Sequence, residues 1–179
     1  KCKKKIGLIG DYQKENAGLV VKAAEILNKK GFNISDENLE NGLLDARWPG
    51  RMHYIKDWLL FECAHNPKGM ANLAKELKEV KKDIYFIIGI MKDKDIEGMC
   101  DEVKGLGKEY ILVKPKIKRA ADPEDIKEFL NEKIMIIPEI NKALEYAEIK
   151  GKKGLVVVTG SIFTVGDAFS ALGLEPFDS

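Results

Sequence analysis

Apolar residues fall along this chain in two alternating rhythms. Short runs that are apolar throughout occur at "WLLFE" (58–62), "IYFIIGI" (84–90), "YILVK" (110–114), "IMII" (134–137) and "LVVVTG" (155–160). Between them lie stretches with helical spacing, at about 68–81, 94–105, 123–132, 139–149 and 162–172. Runs of this length without polar alternation are strands buried on both faces, and strands alternating with helices imply a parallel sheet covered on both sides. "RMHYI" and "WLLFE" flank "KD", which predicts a hairpin or two successive strands.

The first part of the chain reads differently. After a short strand candidate, residues 14–29 place Ala17, Val20, Val21, Ala24, Ile26 and Leu27 mainly on one helical side, with Asp11 as a cap and Gly31 as the stop. Ser35 is placed to cap a second short helix with Leu39, Leu43 and Leu44 inward. The change of pattern near residues 45–50 predicts a boundary. The α/β domain lies after that boundary.

Composition narrows the function. With 30 Lys and Arg against 29 Asp and Glu, nothing favours nucleic acid or an anionic membrane as a partner. The lysines at 1 and 3–5 read as a solvated cluster. Cys2, Cys63 and Cys100 are odd in number and widely spaced, which argues against a disulfide framework or a structural zinc site and for a reducing, cytoplasmic setting. No metal site is expected. No apolar run approaches the ~18 residues of a membrane span, and no signal peptide is visible.

In an open α/β sheet ligands bind beyond the carboxyl ends of the strands, so the chemistry is sought in the turns that follow them. In "ECAHNPKG" (62–69), Asn66 fits a helix N-cap and Pro67 the first helical position, while Glu62 and His65 are left without a structural task. His65 is either a core or capping histidine, or a neutral imidazole that hydrogen-bonds a substrate beside a helix N-terminus. In "MKDKD" (91–95) Asp93 is a cap candidate and Lys92 projects from the loop. Ser161 of "VTGS" is either a plain cap or, with neighbouring N–H groups, a holder of carboxylate or phosphate. Asp122-Pro123 is a cap and first-turn pair, Pro138-Glu139 looks structural, and "RWPGR" (47–51) offers guanidinium groups suited to oxyanions. The phosphate loop, the dinucleotide fingerprint and the hydrolase nucleophile elbow are all absent.

"GDYQKENA", "WPGRM", "AHNPKG", "GIMKDKD" and "VTGSIFTVGDA" stand in this order. Together they resemble the carboxyl-terminal part of the folylpolyglutamate synthase / dihydrofolate synthase family, within the Mur ligase superfamily. The resemblance implies an ATP-dependent amide ligase that adds glutamate to a folate- or pterin-type carboxylate. ATP, with Mg2+, phosphorylates the carboxylate, and the amine attacks the acyl phosphate. It further implies that residues 1–46 are the helical remnant of the central ATP-binding domain and residues 47–179 a Mur ligase-type, Rossmann-like carboxyl-terminal domain, that Asn16 contacts adenine with Gln13 nearby, and that Arg51 reaches ATP phosphate or the acyl phosphate. Glu62 stands where the family usually has Asp, a ribose contact, and His65 at the amino-acid and acyl-phosphate side. Ser161 is implied to bind glutamate, with Lys92 helping by analogy with the wider superfamily. Cys63 replaces a family Gly. Because the family's P-loop ATPase domain precedes the matching region, the 179-residue chain by itself is expected to be inactive. The competing readings are a stand-alone, non-catalytic module that binds a small acid or nucleotide, and a generic nucleotide-binding regulator.

Overall fold

In a computed structural model, residues 4–131 and 133–176 are described; Lys1, Cys2, Lys3, Glu132 and Phe177–Ser179 lie outside them. The elements in order are α1 (Asp11–Lys29), α2 (Asp36–Asp45), β1 (His53–Lys56), β2 (Leu59–Phe61), α3 (Pro67–Leu77), β3 (Asp83–Ile88), α4 (Ile96–Val103), β4 (Glu109–Leu112), α5 (Pro123–Lys127), β5 (Ile134–Ile136), α6 (Ile140–Gly151), β6 (Gly154–Thr159) and α7 (Ile162–Ala171). The strands form one sheet in the order β1-β2-β6-β3-β4-β5. Only the β1–β2 hairpin is antiparallel; every other pairing is parallel.

The continuous apolar runs are explained by the two faces of the pleat. Leu60, Ile84, Phe86, Ile88, Leu112, Leu155 and Val157 point to one side, onto α3, α4 and α5. Leu59, Phe61, Tyr85, Ile87, Ile111, Val156 and Val158 point to the other, onto α6 and α7. Alternate residues thus meet different helices, and none meets water. Phe86 stacks on Tyr110 at 5.3 Å between ring centroids, and Phe61 meets Phe169 edge-to-face at 5.0 Å.

The order of strands fixes where a crevice opens. The helices after β2, β3 and β4 cover one face, while α6 brings the chain back across the other. Strand β6 therefore enters between β2 and β3 and sends α7 to the face opposite α3 and α4. Neighbouring strands whose following helices diverge leave a gap at their carboxyl ends, which is where ligands bind in open α/β sheets.

Several sequence expectations need correction. Gly10, at φ 112°, is the N-cap of α1; Asp11 is already helical, and its N–H donates to Glu76 Oε1 at 2.7 Å. Glycine tolerates that backbone and aspartate does not. Val20, Ile26 and Leu27 are largely exposed, and only Gln13, Ala17 and Ala24 of α1 are buried. The helix meets α2 and, through its first turn, Glu62 after β2 and Glu76 of α3, while its outer apolar positions find no cover among the described residues. Leu43 is buried, but Leu44 is not. Asp95, not Asp93, caps α4, accepting from Gly98 N–H at 2.9 Å. Asp93 pairs instead with Lys94 and Arg119. The helix predicted over 123–132 stops at Lys127, where single-turn bonds from Phe129 and Leu130 replace it. The caps at Ser35, Asn66, Asp122 and Ser161 are present. No described helix is long and apolar enough to cross a membrane.

Phe86→Ala removes a fully buried ring from the central strand, and unfolding stability is expected to fall by about 3–5 kcal/mol. Urea unfolding checks this: the midpoint drops while the slope stays unchanged, as for a cavity in an otherwise intact fold.

Candidate functional site

The site is built from three strand ends and the first turn of α1. Glu62 follows β2 directly and is 3% exposed. Its Oε2 accepts from Met52 N–H at 2.8 Å and from Tyr12 O–H at 3.2 Å. Arg51 Nη1 lies 3.8 Å from Oε1. One carboxylate thereby joins the "WPGR" loop, the β2–α3 turn and α1.

The loop is shaped to present Arg51. Gly50 has φ 73°, and a Cβ there would fall 2.5 Å from Cys63 Sγ. Cys63 N–H donates to Gly50 O at 2.6 Å, which clips the loop onto the β2–α3 turn. Met52 has φ 43°, the only positive value for a non-glycine among the described residues. Such a backbone costs about 1–3 kcal/mol unless its surroundings hold it. Here Met52 is buried and its N–H is satisfied by Glu62. The strained residue follows the guanidinium that the loop carries outward.

Electrostatics follow from this burial. Loss of water pushes the Glu62 carboxyl above its ordinary range, and the Met52 N–H, Arg51, Tyr12 and His65 act in the opposite direction. Burial also raises the Tyr12 phenol, with the Glu62 charge adding to it. The Cys63 thiol is pushed up to about 12 by burial and then by Glu62, so it stays protonated and is no nucleophile. It does not need the backbone freedom of the family's Gly, since its φ is not positive.

His65 is half-buried, and its Nδ1 lies 2.9 Å from Cys63 O. A carbonyl only accepts, so Nδ1 carries the proton, and Nε2 of the neutral ring keeps its lone pair for a ligand. Next along the edge, Gly160 at φ 100° passes so near β3 that a Cβ would sit 2.7 Å from Gly89 O. Ser161 is 1% exposed and caps α7, accepting from Thr164 N–H at 2.9 Å. Thr164 spends its hydroxyl proton on Gly89 O, so the bond between the two hydroxyls, 2.9 Å long, runs from Ser161 to Thr164. Ser161 thus has no proton left to give. What it presents is the start of α7 with its unpaired backbone N–H groups. Lys92 is exposed at the β3–α4 turn, fixed through its N–H to Arg119 O at 2.9 Å.

Arg51, Glu62 and His65 therefore stand together, Tyr12 ties α1 to them, and Lys92 and Ser161 lie on the adjoining strand ends. Gln13 is buried and accepts from the exposed Asn16 side chain at 2.8 Å. Sequence reasoning overlooked Tyr12, Met52 and Thr164. Tyr12 stood inside a quoted motif, but helical spacing alone gives no sign that it reaches a residue in a distant strand.

A model of the family described as "Mur ligase, glutamate ligase domain" matches residues 50–162, the region that carries Arg51, Glu62, His65, Lys92 and Ser161. The chain belongs to that family. It is 31% identical over 169 residues to the dihydrofolate synthase/folylpolyglutamate synthase of Bacillus subtilis, covering 89% of this chain and 39% of that protein. It is 32% identical over 132 residues to the folylpolyglutamate synthase of Lacticaseibacillus casei, covering 71% of this chain and 31% of the relative. The chain thus spans well under half the length of these curated relatives. The Mycobacterium tuberculosis folylpolyglutamate synthase complexed with ADP and AMPPCP superposes with a TM-score of 0.86 at 21% identity, covering 96% of this chain and 42% of that one, a likeness of fold. The Yersinia pestis bifunctional folylpolyglutamate synthase/dihydrofolate synthase complexed with AMPPNP and Mn ion gives 0.76 at 26% identity, covering 85% and 38%.

Arg51 is about one-third exposed, and its guanidinium, drawn toward Glu62 and Tyr12 on the inner side, is of the kind that pairs with oxyanions. An open cleft of about 290 Å³ beside it is lined by Trp48, Pro49, His53 and residues 7–9. Among the described residues, no group of three or more His, Cys, Asp and Glu side chains is placed to hold a metal ion.

Because the Glu62 carboxyl is raised, the folded state holds its proton more tightly than the unfolded state does. Stability from this group is fully present below its ordinary value of 4.5 and is lost as pH rises through the higher folded value. Urea unfolding across that window should show Glu62→Gln gaining on the parent protein as pH climbs. A parent that gains instead would mean that Arg51 and Tyr12 outweigh burial.

Proposed function

We propose that this chain is the carboxyl-terminal part of an ATP-dependent amide ligase that joins glutamate to a folate- or pterin-type carboxylate. The observation that carries the reading is the guanidinium of Arg51, set at the sheet's crevice by a strained loop that a buried carboxylate holds in place. Chemistry of this class needs charge stabilisation and the holding of two reactants more than it needs a protein nucleophile. ATP, when bound with its metal, supplies the phosphoryl group that activates the acceptor carboxylate.

The residues of this chain take the following parts. Arg51 offers its exposed part to phosphate oxygens. Glu62, already accepting from Met52 and Tyr12, orients that guanidinium and takes the place of a free ribose acceptor. Gln13 and Asn16, paired on α1, face the adenine. His65 turns Nε2 toward the amino-acid side, with its proton fixed on Nδ1. Lys92 and the start of α7 at Ser161 attract the carboxylates of the incoming glutamate. Residues 1–46 are read as part of the preceding nucleotide domain, a view supported by the exposed Leu19, Val20 and Ile26 of α1. That domain, by the same reading, brings the phosphate loop and the metal.

In a polypeptide that includes the phosphate-loop domain, ADP release should require both glutamate and a reduced pterin or folate acceptor. Arg51→Ala should lower kcat by about 10²-fold, the size of one lost transition-state contact, a larger effect than its cost in folding stability. Unchanged turnover would remove Arg51 from the site.

The 179-residue chain alone should release no ADP with glutamate and acceptor present. Steady amide formation by it would overturn the division of labour proposed here.

A further inference from the structure

Tyr12 is the residue of α1 that reaches the Arg51–Glu62 pair, 50 residues away from Glu62 in sequence. The first turn that carries it is clamped to the sheet domain. Asp11 N–H donates to Glu76 Oε1 on α3 at 2.7 Å, and Lys75 Nζ lies 3.6 Å from Asp11 Oδ2. The Tyr12 ring packs against the core under α3 and α4, and it lies so close to the backbone that a Cβ on Gly10 would sit 2.8 Å from it. The hydroxyl at the ring's tip therefore has a fixed place.

That place bears on the ion pair. Arg51 Nη1 and Glu62 Oε1 are 3.8 Å apart, too far for a hydrogen bond. An arginine and a carboxylate that engage fully close to about 2.7–2.9 Å, often through two parallel bonds. Glu62 does not close in this way, because its other oxygen is held by Met52 N–H at 2.8 Å and by Tyr12 O–H at 3.2 Å. Burial and the Glu62 charge keep the phenol protonated, so it stays a donor. The same helix bears Gln13 and Asn16, and Asn16 lies about one turn beyond Tyr12.

We propose that Tyr12 is the positioning residue for Arg51: its hydroxyl restrains the Glu62 carboxylate, so that the guanidinium is steadied but not consumed, and it links Arg51 to the helix that meets the nucleotide base. The assignment rests on the ligase reading, in which Arg51 meets phosphate oxygens and α1 the adenine. Without the hydroxyl, the Glu62 carboxylate is free to turn and close on Arg51. The guanidinium is then spent on a protein carboxylate. A nucleotide seated along α1 would hold Tyr12, and through it Arg51, in the geometry that phosphate requires.

The test is a double-mutant cycle in a polypeptide that includes the phosphate-loop domain. Tyr12→Phe keeps the ring and removes the hydroxyl, so the circular dichroism spectrum should not change. In the parent background it should lower kcat/KM for ATP by about tenfold, the size of one hydrogen bond to a charged group, with KM for glutamate unchanged. In an Arg51→Ala background the same substitution should have no further effect, because the two residues act as one unit. A tyrosine that only supports the fold would give the same loss in both backgrounds. The proposal is overturned by that result, or by a Tyr12→Phe enzyme as active as the parent. If the parent itself releases no ADP in response to glutamate, the ligase reading fails, and the cycle run on AMPPNP affinity still decides the role of Tyr12. Weaker binding that depends on Arg51 supports it; unchanged binding, or a loss independent of Arg51, overturns it.

Discussion

Strand β6 is hydrogen-bonded on both sides, to β2 through Leu59–Phe61 and to β3 along its whole length. It is the last of the described strands and the one that makes a single sheet of the rest. Its insertion forces α7 to the face opposite α3 and α4, and the crevice follows from that divergence. The crevice in turn requires Gly160, because the ends of β6 and β3 approach too closely there for any side chain. Glu62, His65, Lys92 and the start of α7 stand in the turns after β2, β3 and β6, the strand ends set by this one placement.

Within the crevice, Glu62 organises what surrounds it. A carboxylate removed from water is costly unless it is hydrogen-bonded and paired. Glu62 meets both conditions with donors from two otherwise separate segments, Met52 and Tyr12, and with the charge of Arg51. The left-handed backbone at Met52 is tolerated because it aims an N–H at that carboxylate. Strain, burial and the orientation of Arg51 are therefore one arrangement. This also accounts for the bland appearance of Cys63, whose thiol fills the space beside Gly50 and whose N–H clips the loop.

Much of the scaffold was legible in the sequence, since unbroken apolar runs have few explanations other than strands covered on both faces. Caps at Ser35, Asn66, Asp122 and Ser161 were legible because local side-chain chemistry decides them. Where two aspartates competed, as Asp93 and Asp95 did, the distant Arg119 drew the first away, and no local rule registers that. The outer side of α1 misled for a similar reason: helical spacing reports an apolar stripe but not whether anything covers it. The family motifs located Arg51, Glu62 and His65, while the tyrosine and the left-handed methionine that hold them depend on contacts between segments far apart in the chain.

The position of β6 has a consequence for the making of the protein. Leu59 pairs with Val156, and nothing nearer in sequence takes that place beside β2. On a ribosome, the β1–β2 hairpin emerges well before β6 and presents an unpaired, apolar edge until β6 follows. Closing so long a loop is slow, because its entropy is lost before the pairing is gained. During that interval the nascent chain depends on shielding of this edge, and mutations that slow the arrival of β6 would lower yield through aggregation while leaving the folded site untouched.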